Sequence, residues 1–79
     1  MNEQQRQQIL NDTVNQFSRH EWFRDAIIYN NHPNTGGPTL EVKVNYVPVM
    51  ERRDVIAFTQ SKGLQYFFTV VDANGNKVL

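Results

Sequence analysis

Apolar and polar residues alternate most cleanly between Thr39 and Tyr46. Leu40, Val42, Val44 and Tyr46 fall on one side of an extended chain, and Thr39, Glu41, Lys43 and Asn45 fall on the other. This predicts a strand with one buried and one wet face. Pro48 closes it, because proline has no N–H to give to a ladder. A helical stripe follows from about Val49 or Met50 to Lys62, with Val55, Ile56, Phe58 and Thr59 on the buried side. Glu51 and Asp54 near its start and Lys62 near its end suit the helix dipole. Gly63 is placed to stop it in a left-handed cap, with Leu64 supplying the apolar contact that accompanies such caps.

The segment Gln65 to Asp72 is aromatic and β-branched, so it reads as another strand. Phe67, Thr69 and Val71 share one face of it, and Tyr66, Phe68 and Val70 share the other. The turn Asp72-Ala73-Asn74-Gly75-Asn76 then returns Lys77-Val78-Leu79 as a short final strand. Earlier in the chain, Ile9, Leu10, Val14 and Phe17 recur at helical spacing and predict a helix from Glu3 to about Arg19. Its Gln-rich opening is a solvated face. Trp22 and Phe23 are adjacent and bulky, so both cannot enter one core. Arg24 to Tyr29 reads as a strand with Ile27 and Tyr29 on one face and Ala26 and Ile28 on the other. The segment from Asn30 to Pro38 holds two prolines, two glycines and three asparagines before its strand resumes, and reads as a long loop between antiparallel strands.

These elements predict one α+β domain over residues 1–79, a small two-layer sandwich of order α-β-β-α-β(-β). Its mixed sheet would have three or four strands, with both helices on one face. At 79 residues only one domain is accommodated, and a chain of this size buries roughly 60% of its unfolded surface.

Composition narrows the chemistry. There is no cysteine, which excludes disulfides, a thiolate nucleophile and thiolate-held metal. Together with an opening segment, Met1 to Gln8, that lacks the basic-then-apolar order of a secretory signal, this points to a cytoplasmic protein. No apolar stretch approaches the roughly 20 residues of a membrane helix, so no membrane association is expected. The formal net charge is +0, which argues against general nucleic-acid binding and reduces repulsion between copies.

Nothing in the sequence assembles a catalytic constellation, and neither an enzyme nor a cofactor is expected. His20 and His32 are the only histidines. His20-Glu21 begins like a His-Glu-x-x-His helix, but position 24 is Arg24, and no metal site is assigned. Gly36-Gly37 precedes Pro38 and a strand, so it is a turn and no phosphate loop. Glu51 and Asp54 lie among Arg52 and Arg53, as in a solvated helix start.

The remaining signal is surplus apolar surface. With Tyr66, Phe68 and Val70 opposite Phe67 and Val71, one layer of helices cannot cover both sides of the strand. The expected function is therefore a non-enzymatic protein-interaction module, an adaptor, inhibitor or regulator. It would dock a sheet face or edge through Tyr66, Phe68, Val70 and Trp22 onto another protein or a second copy. Alternatively, Trp22 or the long loop folds over the second face. Two other readings stand beside it. One is a single-stranded nucleic-acid module stacking bases on strand aromatics, with Lys43, Arg52 and Arg53 as phosphate contacts. The other is a small-ligand or metal site at the 30–38 loop, built on His32 and Asn34.

Overall fold

A computed structural model describes residues 1–78. Two helices and three strands follow in the order α1 (Glu3–Phe17), β1 (Phe23–Tyr29), β2 (Thr39–Val44), α2 (Arg52–Ser61) and β3 (Gln65–Val70). They form a mixed sheet of spatial order β1-β2-β3. β1 runs antiparallel to β2, as the loop between them allows, and β3 runs parallel to it, with α2 as the crossover. This is the small α+β sandwich that the periodicities predict.

The core lies between the sheet and the helices. Leu40, Val42 and Val44 of β2 are completely buried there, and Ala26 and Ile28 of β1 lie on the same face. Phe17 of α1, Val55 of α2, Trp22 and Leu64 complete the cluster. Each fully buried valine, leucine or phenylalanine contributes about 1.5–3 kcal/mol, so this one layer supplies most of the cohesion available to so short a chain.

The helix ends have local causes. Asn2 opens α1 with a reciprocal cap: its side chain accepts from Gln5 N at 2.7 Å, and the Gln5 side chain accepts from Asn2 N at 3.1 Å. Gly63 ends α2 at φ 72°, and Leu64 N donates to Thr59 O at 2.9 Å while its side chain enters the core. Lys62 at the end of α2 reaches back to Asp12 of α1 at 3.0 Å and ties the helices together.

Several boundaries move inward. α1 stops at Phe17, and α2 starts at Arg52. Val49 and Met50, read as its first turn, stand 76% and 88% exposed in the connection before it. β2 stops at Val44, and Tyr46 turns outward to donate to Glu21 Oε1 at 3.1 Å. The final strand shrinks to one antiparallel bridge, Val71 with Lys77, so the sheet has three strands; Leu79 lies outside the described residues. No helix among the described residues is long and apolar enough to cross a membrane.

Candidate functional site

The sheet face away from the helices carries Ile27 and Tyr29 of β1, Thr39, Glu41 and Lys43 of β2, and Phe67 and Thr69 of β3. The alternation of β2 predicts a wet face here, yet Thr39 and Glu41 are buried. The 30–38 loop is the reason. It closes on itself through His32 N to Gly37 O at 3.0 Å and Gly36 N to His32 O at 2.8 Å, with Gly36 at φ 78°. This lays His32 onto the sheet between the rings of Tyr29 and Phe67, at centroid distances of 4.6 and 4.7 Å.

His32 is 2% exposed and fully engaged. Its Nδ1 accepts from Asn34 N at 3.0 Å, so that nitrogen carries no proton. The proton therefore sits on Nε2, which donates to Glu41 Oε1 at 2.7 Å. The imidazole is thus held as one neutral tautomer, and the carboxylate it meets has an assigned partner. A buried pair so satisfied fixes the loop to the sheet.

The two edges of the sheet differ sharply. β1 carries a bulge between Phe23 and Asp25. Beyond the bulge, two of its outward-facing backbone groups are engaged by side chains: Asp25 Oδ1 accepts from Ala26 N at 2.8 Å, and Arg6 Nη1 donates to Ile28 O at 2.7 Å. Bulges and edge charges are the devices that keep a strand from pairing with foreign chains. β3 has none of them. Gln65-Tyr66-Phe67-Phe68-Thr69-Val70 contains no charge, no proline and no bulge. Gln65 N and Val71 N donate inward to Pro38 O and Val44 O. By the two-residue alternation of a strand, the backbone groups of Tyr66, Phe68 and Val70 face outward. Val70 O receives Val78 N at 2.8 Å. Among the described residues, nothing pairs with the outward groups of Tyr66 and Phe68.

No family model, curated protein or solved structure matches the chain. The arrangement of its own residues must carry the functional reading.

The structure redistributes the residues singled out from the sequence. Tyr66, Phe68 and Val70 lie half-buried on the helix face, packed against the core. Trp22 is 2% exposed, ring-stacked on His20 at 5.0 Å, and is core. It offers no docking surface. The helices cover one face of β3 and the loop covers much of the other, which leaves the outer backbone edge at Tyr66 and Phe68 as the part of β3 without a partner among the described residues. Lys43 sits on the opposite face from Tyr66 and Phe68. Arg52 is held by Tyr66, donating to its hydroxyl from Nε at 3.1 Å and Nη2 at 3.0 Å, while Arg53 points to water. Of Lys43, Arg52 and Arg53, only Arg52 is brought against these aromatics among the described residues. His32 and Asn34 do come together, but with Glu41, which the sequence reading placed in solvent. His20 lies with Trp22 in the helix layer and shares no site with His32.

Proposed function

We propose that this chain is a non-enzymatic protein-interaction module that pairs the outer edge of β3 with the same edge of a second copy. The observation that carries the reading is the asymmetry of the sheet: one edge is bulged and capped by Asp25 and Arg6, whereas on the other the C-terminal segment engages only the Val70 end and the outward groups of Tyr66 and Phe68 have no partner among the described residues. A strand without charge is self-complementary about a two-fold axis, since no like charges meet. The net charge of +0 adds no long-range repulsion.

Antiparallel pairing with Tyr66 of one copy opposite Phe68 of the other satisfies the outward N–H and C=O groups of both residues. Backbone bonds of about 1 kcal/mol each give only millimolar affinity for the four formed. Cross-strand aromatic pairs between Tyr66 and Phe68 strengthen it toward the micromolar range. The result is a continuous sheet spanning both copies.

Sedimentation velocity across a concentration series from about 10 μM to about 1 mM tests this. Dimer formation is expected, and Tyr66→Pro should abolish it. That substitution removes the outward N–H and, with it, the half-buried Tyr66 ring and its contact with Arg52, while leaving the β2 ladder intact, so it is read only where the variant keeps the wild-type fold. A monomer at every concentration, or an unchanged dimer in the proline variant, overturns the proposal.

A further inference from the structure

Beside the buried histidine, the same sheet face opens into a trough of about 400 Å³. Its floor is Glu41 and Lys43 of β2 with Phe67 and Thr69 of β3. Asn34 of the loop stands on one side and Lys77 of the C-terminal turn on the other. The volume lies within the range of small-molecule sites.

The charges in this trough are unequal. Glu41, its one carboxylate, is already engaged by His32 at 2.7 Å, and that imidazole is neutral by its own hydrogen bonds. Lys43 and Lys77 form no ion pair within 4.0 Å among the described residues. Asp25 lies directly across from Lys43 in the β1–β2 register, but its carboxylate is turned to the backbone of Ala26. Two ammonium groups therefore border a cavity whose only anion has a partner. The Phe67 ring and Val71 supply an apolar wall, and the Thr69 hydroxyl a polar one.

We infer that the trough between the 30–38 loop and the C-terminal turn binds a small carboxylate with a flat apolar body, its carboxylate between Lys43 and Lys77 and its body against Phe67. This site is separate from the β3 edge and does not depend on it. Each lysine would contribute a charge-assisted hydrogen bond, so removing either should weaken binding about tenfold.

The test is an amide-resolved NMR titration of the full chain with benzoate, and with benzylamine as the charge-reversed control. Benzoate should produce saturable shifts at Lys43, Thr69 and Asn76, and benzylamine should produce none. Lys43→Met and Lys77→Met alter a half-buried and an exposed side chain that no ion pair holds among the described residues, so both variants should keep the wild-type spectrum elsewhere and bind about tenfold more weakly. The inference is overturned by any of four results: no saturable shift with benzoate, shifts centred away from the trough, benzylamine binding as tightly as benzoate, or either lysine variant binding like wild type.

Discussion

Arg6, on the first turns of α1, donates through Nη1 to the carbonyl of Ile28 on β1 at 2.7 Å, across 22 positions of sequence. The same guanidinium holds Asn30 Oδ1 at 3.1 Å through Nη2. One side chain thus caps the outer edge of β1 and steadies the start of the 30–38 loop. Its counterpart is Asp25, which caps the neighbouring outward amide of Ala26. Replacing Arg6 with Met should lower the free energy of unfolding by about 1 kcal/mol, since the freed carbonyl can still reach water. Urea denaturation measures this, and the variant should also self-associate more readily, because the outer edge of β1 then keeps only its bulge and the Asp25 cap.

The His32–Glu41 pair separates two kinds of loss. Glu41→Gln keeps an acceptor for the Nε2 proton and should cost less than about 1 kcal/mol. Glu41→Leu leaves a buried donor without a partner and should cost about 2–3 kcal/mol. Denaturation of both variants under one set of conditions checks the order. Equal costs would mean that the hydrogen bond does not hold the loop down.

Gly63 sits at φ 72° with open space where a Cβ would project. Gly63→Ala therefore meets no clash with a neighbour, only the backbone penalty of a left-handed residue. It should destabilise by about 1 kcal/mol, read from the shift in denaturation midpoint.

Asp12 gives the chain an acid-sensitive tie. The Lys62 ammonium, hydrogen-bonded to it at 3.0 Å, and secondly the amide of Gln8 hold its carboxyl below the usual aspartate value. A carboxyl whose pKa is depressed by folding stabilises the fold above its unfolded value, about 3.9, and that contribution is lost as pH falls through the lower folded value. Asp12→Asn should therefore be less stable than wild type at neutral pH, and the gap should narrow below about pH 4. Stability curves of the two proteins from neutral pH into acid show whether they converge.

Local patterns carried most of the fold. The alternation over Leu40, Val42 and Val44 located the central strand, and Gly63 with Leu64 located the helix stop, because both depend on residues near one another in sequence. The Asn2–Gln5 cap is equally local and readable as Asn-x-x-Gln, although the Gln-rich opening hides it. The site was far less legible. Glu41 obeys the alternation of a wet face and is buried only because a loop nine positions upstream returns His32 onto it. No periodicity records such a return. The same holds for Arg6 and Ile28, whose contact requires α1 to be packed already. Surplus apolar character on β3 was visible, but which face the helices would take and which the loop would cover depended on the tertiary arrangement.

The central claim is that the outer edge of β3 is the working surface, and amide hydrogen exchange at Tyr66 and Phe68 tests it most directly. The amides of Phe67 and Thr69, which the strand alternation points toward β2, should be protected at every protein concentration. Those of Tyr66 and Phe68 should exchange freely in dilute protein and gain protection together as concentration rises, with the Phe68 gain lost in Tyr66→Pro. If both amides exchange at the rate of open backbone up to about 1 mM while the chain sediments as a monomer, the edge does not pair with its copy and the account is contradicted.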